Sequence, residues 1–179
     1  MDKVKIRDKE FEKYLSQAEI EAAIDRVAEQ MTADLSDSDP LFIAILNGSF
    51  MFVSELMKRV NIPSELTFIK LASYDGVSST GDVKRILALN KSIENRTVVI
   101  LEDIVDTGNT MDHIIKELSI QNPKEIKVAT LLFKPDALVK KVPLDYVALE
   151  IPSDFIVGYG LDYDGYGRNL PDIYKVINN

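Results

Sequence analysis

The pattern of apolar and polar residues predicts a strand, a turn and a helix in the first half of the chain. The run LFIAIL at 41–46 is continuously apolar, as expected of a strand that is buried on both faces. Asn47-Gly48-Ser49 predicts a turn after it, and LTFIKLAS at 66–73 predicts a further strand. The apolar residues between them recur at helical spacing, namely Val53, Leu56, Met57 and Val60.

The same order of elements repeats from Thr97. TVVIL predicts a strand, residues 102–110 predict a loop, and one apolar helical face follows, formed by Met111, Ile114, Ile115 and Leu118. Three further strands are predicted at KVATLLF (127–133), DYVALE (145–150) and FIVGYG (155–160). Strands that alternate with helices predict an α/β fold, with a mostly parallel central sheet flanked by helices. Ligands of such sheets bind at the carboxyl ends of the strands.

Two regions are predicted to lie outside this alternation. The first forty residues are expected to be helical, because Ser16 and Glu19 fit a capping box and an apolar helical face follows them. That helix is expected to end in the acidic stretch before Pro40. Residues 74–84, which are rich in Ser and Gly, predict a long exposed loop of the kind that often forms a lid, with a short strand at 86–90 after it.

Charge and rare residues exclude several classes of function. The net charge of −8 argues against non-specific binding of nucleic acid, which needs a basic face. The chain has no Cys, so thiolate catalysis and Cys-based zinc sites are excluded. With one His, a catalytic triad would depend on His113, which falls on the polar side of its helix and is expected to be a solvated surface residue. No targeting signal or apolar membrane span is found, so a cytoplasmic location is expected.

The segment VVILEDIVDTGNTM at 98–111 carries the most chemical information. Gly108 allows the backbone to approach a phosphate, beside the side-chain donors of Thr107, Asn109 and Thr110 at the start of a helix. Glu102 and Asp103 could accept from ribose hydroxyls or hold a hard cation such as Mg²⁺, and Asp106 is free to act as a base. Each residue alone also fits an ordinary acidic turn, but the full pattern favours a phosphate site. It matches neither a Walker loop nor a Rossmann fingerprint.

This segment resembles the 5-phosphoribosyl-1-pyrophosphate (PRPP) signature of the type I phosphoribosyltransferases. Four further stretches narrow the resemblance to the hypoxanthine–guanine phosphoribosyltransferases, because they occur in the order of that family and close to its spacing. They are LNGSF at 46–50, SYDGVSSTGDVK at 73–84, LLFK at 131–134 and EIPSDFIVGYGLDYDGYGR at 150–168. Together the five stretches span the chain from Leu41 to about Val176, which is most of its length.

The resemblance implies transfer of a phosphoribosyl group from PRPP to N9 of a 6-oxopurine, with release of pyrophosphate. It implies that Asp106 is the general base at purine N7, that residues 107–110 hold the 5′-phosphate, and that Glu102 and Asp103 hold the ribose diol and Mg²⁺, for which Mn²⁺ can substitute. Ser73 and Tyr74 would belong to a lid over the reacting centre, which is expected because water would intercept an oxocarbenium-like sugar.

The remaining site residues surround the purine and the pyrophosphate. Lys134 ends an apolar strand and would donate to O6, although a strand-end Lys also fits simple snorkelling. The family pattern implies that Phe155 stacks on the base, that the Ile156 main chain pairs with the purine edge, and that Asp162 is a second metal contact. Asn47, Gly48 and Arg168 are expected at the pyrophosphate; the family commonly has Lys in place of Asn47.

The resemblance also implies one domain over residues 1–179, with a core at about 36–150 and a small hood built from about 1–35 and 151–179. The helix that begins at Phe50 is apolar nearly all round, which predicts a subunit interface and hence a homodimer or homotetramer. The expected partners are PRPP and a 6-oxopurine, with neither nucleic acid nor membrane.

Two other functions remain open. A phosphoribosyltransferase-fold regulator that senses PRPP and binds nucleic acid would need a basic face and often lacks the base, whereas this chain is acidic and has Asp106. A related transferase could act on another base, such as xanthine or a pyrimidine. Lys134 and the segment from Phe155 to Asp162 favour 6-oxopurines.

Overall fold

The computed structural model describes residues 2–72, 84–85, 89 and 91–177. The lid predicted at 74–84, together with Ser73 and Tyr74, falls almost wholly outside them, as does most of the strand predicted at 86–90. In chain order the elements are β1 (Lys3–Ile6), β2 (Lys9–Leu15), α1 (Gln17–Asp34), β3 (Leu41–Leu46), α2 (Phe50–Met57), β4 (Glu65–Ala72), β5 (Lys84–Arg85), β6 (Thr97–Val105), α3 (Asn109–Ser119), β7 (Glu125–Phe133), a 3₁₀ turn (Pro135–Ala137), β8 (Tyr146–Glu150), β9 (Ile156–Val157) and β10 (Ile173–Val176).

The larger of two sheets has the strand order β5-β4-β3-β6-β7-β8. All neighbouring pairs in it are parallel except β4 with the short edge strand β5. The α/β fold with a mostly parallel central sheet is therefore confirmed. Strands β3, β6 and β7 lie side by side, so their carboxyl ends meet at one edge of the sheet.

Helices cover both faces of the large sheet, which explains why its strands are continuously apolar. In β3, Phe42 and Ala44 pack on the face covered by α1 and α2. The alternate residues Leu41, Ile43 and Ile45 pack on the opposite face, which α3 covers. Residues of both faces thus leave water, and this burial supplies the main driving force for forming the core.

The second sheet is antiparallel, has the order β1-β2-β10-β9, and joins the two ends of the chain. The prediction that the first forty residues are helical is wrong here, since β1 and β2 form a hairpin whose turn places Arg7 at φ 56°. The strand predicted at 155–160 is also shorter than expected, because β9 contains only Ile156–Val157. The predicted hood includes α1, yet this helix packs on the large sheet of the predicted core. The division between core and hood therefore stays a prediction.

Other local predictions can be compared directly with the structure. The capping box at the start of α1 is confirmed: the Ser16 N–H donates to the Glu19 carboxylate at 2.9 Å, and the Glu19 N–H donates to Ser16 Oγ at 3.3 Å. The loop predicted to begin at residue 102 begins later, because β6 keeps its pairing with β7 as far as Val105. None of the helices that the structure describes has the length and apolarity needed to cross a membrane.

Candidate active site

The site forms where three neighbouring parallel strands end. Asn47 follows β3, Asp106 follows β6, and Lys134 follows β7. The sheet order places these three ends next to one another, as expected for a ligand site in an open α/β sheet. The topology therefore brings together the three stretches to which the sequence assigns most of the chemistry.

An anion cradle lies at the start of α3. Gly108 caps this helix in the left-handed conformation, with φ 80°, and its carbonyl accepts the N–H of Asp112 at 2.9 Å. The side chains of Thr107, Asn109 and Thr110 are exposed beside it. A cavity of about 230 Å³ opens here, lined by Glu102, Ile104, Val105, Asp106, Thr107, Gly108, Thr110 and Met111. Backbone N–H groups at a helix start favour an anion, so the cradle suits a phosphate.

Two adjacent carboxylates lie beside the cradle, near the carboxyl end of β6. Glu102 is buried, and burial together with the neighbouring Asp103 carboxylate raises its pKa well above the ordinary value. The Asp103 N–H donates to Glu102 at 3.1 Å, and Asp103 itself accepts from the Ile104 N–H at 2.9 Å. Two like charges this close are unfavourable without a proton, a cation or a hydrogen-bonding ligand between them.

Gly48 lies in close contact with the Asp103 carboxylate. A Cβ at this position would overlap the carboxylate of Asp103. The φ of Gly48 is not among the positive values, so glycine is required at this position by lack of space. One residue earlier in this loop, the peptide bond between Leu46 and Asn47 is cis.

Lys134 and Asp106 form an ion pair at the centre of the site. Lys134 Nζ lies 3.4 Å from Asp106 Oδ2. The lysine side chain is buried, with 9% of its surface exposed, whereas 49% of the aspartate side chain is exposed. The pair therefore holds a cationic donor and an anionic acceptor side by side, with the acceptor open to a ligand.

The segment from Gly158 to Arg168 packs against the loop after β3. Arg168 donates to the Gly160 carbonyl at 2.9 Å and pairs with Asp162 at 2.7 Å. Asp162 also accepts the Gly165 N–H at 2.7 Å. Gly160, with φ 99°, lies so close to the Gly48 carbonyl that a Cβ would overlap it. Gly160 thus links two predicted pyrophosphate residues from distant parts of the chain, because it contacts both Gly48 and Arg168.

Phe155 and Ile156 lie at the edge of the small sheet. The exposed Phe155 ring packs edge-on against Tyr163, with ring centres 5.7 Å apart. The Phe155 carbonyl accepts the Val176 N–H at 2.9 Å, so the next pair along, Ile156 with Lys175, is the non-hydrogen-bonded kind. Because β9 is an edge strand, the N–H and C=O of Ile156 point to the open edge. They remain available to a flat, hydrogen-bonding ligand.

Two features differ from the sequence interpretation. His113 is half-buried rather than fully solvated, and its Nε2 lies 3.6 Å from Glu117 on the same helix. The backbone amides of Val139 and Lys140 reach the Thr107 carbonyl of the cradle, a contact that the sequence did not predict. No local sequence signal marks it, because it joins residues more than thirty positions apart.

Comparisons with known proteins agree with this geometry. The family described as phosphoribosyl transferase domain matches residues 10–164, which is most of the chain. The chain belongs to this family. A hypoxanthine phosphoribosyltransferase from Escherichia coli K12 is 40% identical to it over 166 residues, which cover 91% of this chain and 93% of the relative. A hypoxanthine-guanine phosphoribosyltransferase from Streptococcus pyogenes is 42% identical over 147 residues, which cover 82% of each.

Solved structures of other phosphoribosyltransferases have the same fold. A hypoxanthine phosphoribosyltransferase from Staphylococcus aureus superposes with a TM-score of 0.87 at 37% identity, and covers 93% of this chain and 91% of its own. The chain is therefore a phosphoribosyltransferase that shares its fold with these solved structures. The assignment of individual residues rests on the contacts described above.

Proposed function

We propose that this phosphoribosyltransferase acts in purine salvage, transferring the 5-phosphoribosyl group of PRPP to N9 of hypoxanthine or guanine. The products are IMP or GMP and pyrophosphate. The observation that carries the proposal is the ion pair between Lys134 and Asp106, 3.4 Å apart beside the anion cradle. The relatives from E. coli and S. pyogenes, named for hypoxanthine and guanine, support the same substrates.

The ion pair matches one edge of a 6-oxopurine. Such a base presents O6 and N7 next to each other on a single edge. The Lys134 ammonium has only donors and suits O6, while the Asp106 carboxylate suits the proton carried by N7. As N9 forms its bond to C1′ and the bond from C1′ to pyrophosphate breaks, Asp106 accepts the N7 proton. The purine ring of the product nucleotide is then uncharged.

The rest of the site can hold the other parts of both substrates. The amides and hydroxyls of residues 107–110 bind the 5′-phosphate, and Glu102 and Asp103 accept from the ribose hydroxyls. The exposed Phe155 ring stacks on the base, while the Ile156 backbone pairs with its edge. Arg168 and the loop of Asn47 and Gly48 bind pyrophosphate.

A divalent cation fits the carboxylate pair. Burial and mutual repulsion raise the pKa of Glu102, and a cation would relieve both effects. Among the described residues, no three Asp, Glu, His or Cys side chains converge to hold a metal by themselves, so PRPP and water oxygens would complete the ligand set. Glu102, Asp103 and Asp162 are the proposed metal residues. They would hold Mg²⁺, or Mn²⁺ in its place, which would supply positive charge beside the departing pyrophosphate.

The exposed surface of α2 bears on how the enzyme assembles. Phe50 at the start of α2 is exposed, beside a small pocket that includes Met51 and Tyr159. An exposed aromatic on an apolar helix favours self-association, so we infer a homodimer or homotetramer. The net charge of −8 disfavours nucleic acid as a partner. A cytoplasmic location without a membrane partner stays a prediction.

A pyrophosphate-release assay tests the proposed function. The enzyme is given PRPP and Mg²⁺ with hypoxanthine, guanine, xanthine, adenine or uracil, each in turn. Release is expected with hypoxanthine and guanine, and is expected to stop when EDTA removes the metal. Release with uracil or adenine as the best acceptor, or full activity in EDTA, would contradict the proposal. Bovine serum albumin in place of the enzyme controls for spontaneous hydrolysis of PRPP.

A further inference from the structure

A short segment after β7 turns back and binds the chain on both sides of Asp106. At its start, the Lys134 N–H donates to the Val105 carbonyl at 3.0 Å. At its end, the N–H groups of Val139 and Lys140 both donate to the Thr107 carbonyl at 2.9 Å. The segment 134–140 therefore holds the residues before and after Asp106.

The end of this segment also packs against the cradle glycine. A Cβ on Gly108 would overlap the Lys140 carbonyl and would lie 3.0 Å from Leu138 Cδ1. None of residues 138–140 lines the cavity in front of the cradle. The segment thus supports the phosphate loop from behind, and the cavity in front stays open to ligand.

The segment has its own internal order. Pro135 begins a 3₁₀ turn, in which the Ala137 N–H donates to the Lys134 carbonyl at 3.2 Å and the Leu138 N–H donates to Pro135 at 3.3 Å. Proline has one fixed backbone dihedral, so few conformations compete with this turn. The Val139 side chain is 72% exposed, and its contribution to the contact therefore comes from its backbone.

We propose that segment 134–140 is a positioning element for the phosphate loop, and that the backbone amides of Val139 and Lys140 act through Thr107. By binding the Thr107 carbonyl at the back of the loop, they direct the N–H groups of residues 108–110 towards the 5′-phosphate. The same segment begins at Lys134, the proposed hydrogen-bond donor to the purine. One short segment therefore supports both this lysine and the phosphate loop. This inference rests on the proposed function, because it names the 5′-phosphate as the ligand.

The substitution Val139→Pro removes one of the two amide donors, and Val139→Ala is its matched control. Leu138 has φ −66° and ψ 117°, a conformation that a following proline accepts. The readout is the ratio of binding affinities for IMP and for inosine, measured by titration calorimetry, because inosine lacks only the 5′-phosphate. We expect Val139→Pro to lower this ratio about five- to tenfold, since one hydrogen bond that orients the loop is lost. Val139→Ala should keep it within about twofold.

A purely structural role would give a different result. In that case Val139→Pro would lower the melting temperature while the ratio for IMP and inosine stayed equal to that of Val139→Ala, and the inference would be overturned. Should Val139→Pro fail to fold, an amide-to-ester replacement at Val139 provides the same test, because it removes the N–H and keeps the side chain. A lowered ratio supports the inference and an unchanged ratio rejects it.

A pyrophosphate-release assay on the wild type, run beside the binding measurements, separates this inference from the proposed function. If the wild-type enzyme releases no pyrophosphate with any purine, the proposed function fails. If the wild type is active and Val139→Pro binds IMP and inosine as Val139→Ala does, only the positioning role of the segment fails.

Discussion

At the level of single residues, the contact between Lys134 and Asp106 explains a charge that is unusual at the end of an apolar strand. A buried ammonium is costly unless it has a partner, and the Asp106 carboxylate supplies one at 3.4 Å. The carboxylate is itself half exposed, so it can meet a ligand while the lysine stays fixed. The pair therefore combines a rigid donor with an accessible acceptor.

The role of Asp106 predicts a loss of rate without a loss of fold. Asp106→Asn keeps the size of the side chain and an oxygen that can accept from Lys134, but it cannot accept the N7 proton. We expect kcat to fall by about 10²–10⁴-fold, with little change in melting temperature and in PRPP binding. Steady-state kinetics and thermal melting check this. Near-normal kcat would remove Asp106 from the role of general base.

The role of Lys134 predicts that adenine is rejected. The 6-amino group of adenine is a donor, so it would face the Lys134 ammonium with no acceptor between them. Leaving such buried polar groups unpaired can discriminate by about 10⁴-fold or more in kcat/KM. Lys134→Met removes the donor at similar length, and we expect the preference for hypoxanthine to narrow to about 10²-fold or less. An undiminished preference in this variant would place the specificity elsewhere.

At the level of elements, three parts of the chain meet at the loop after β3. Asp103 at the end of β6 fills the space where a Gly48 side chain would be. Gly160, from the segment near the C-terminus, lies against the Gly48 carbonyl on another side. The loop is thus held between two elements that carry predicted metal and pyrophosphate residues. Backbone placement, rather than the Asn47 side chain, is the feature that this packing controls.

Two substitutions in this loop are therefore expected to differ. Gly48→Val places a branched side chain on the Asp103 carboxylate, so we expect the KM for PRPP to rise more than about tenfold, or about 1.4 kcal/mol. Asn47→Lys adds an exposed charge that solvent and salt screen, and should change this KM by less than about tenfold. Initial rates at varied PRPP check both. A large effect of Asn47→Lys with a silent Gly48→Val would show that side-chain charge governs the loop.

At the level of the whole molecule, what the sequence could predict depended on how local the interactions are. The large sheet and the phosphate loop follow from continuous apolar runs and from one motif, so both could be predicted. The small sheet could not, because β2 pairs with β10 from the other end of the chain and its hairpin turn at Arg7 and Asp8 lacks the usual Asn-Gly signal. The support of Thr107 by Val139 and Lys140 is likewise a contact between distant segments.

The exposed start of α2 predicts self-association. Phe50 is 42% exposed, and we expect the partner subunit to cover it. Phe50→Ser should shift the enzyme towards the monomer, measured by size-exclusion chromatography with light scattering. Ile120→Ser is the control, since Ile120 is 80% exposed at the end of α3, away from α2. The interface would be rejected if the wild type is a monomer. It would also be rejected if Phe50→Ser has the same oligomeric mass as the wild type.

Asp172 joins the two ends of the chain and predicts how stability depends on pH. It pairs with Lys13 of β2 at 2.8 Å and accepts the Gln17 N–H at the start of α1 at 2.9 Å. The hydrogen bond from the Lys13 ammonium has the largest effect on the pKa of Asp172, and the Gln17 N–H has a smaller one. Together they hold this pKa below its ordinary value of 3.8. A carboxyl whose pKa is lowered by folding contributes stability above its unfolded pKa, and that stability is lost as the pH falls through the folded value.

The variant Asp172→Asn lacks this charge at every pH. At pH 7 we expect it to melt about 3 °C below the wild type, because a buried charged hydrogen bond is weakened. As the pH falls below 3.8 the wild type loses the same interaction, so the two melting temperatures should converge. Asp112→Asn, which breaks an exposed helical pair with Lys116, is the control and should have a smaller effect. Melting curves recorded from pH 7 to pH 3 test this, and parallel curves for Asp172→Asn and wild type would show that the Asp172 charge does not stabilise the junction.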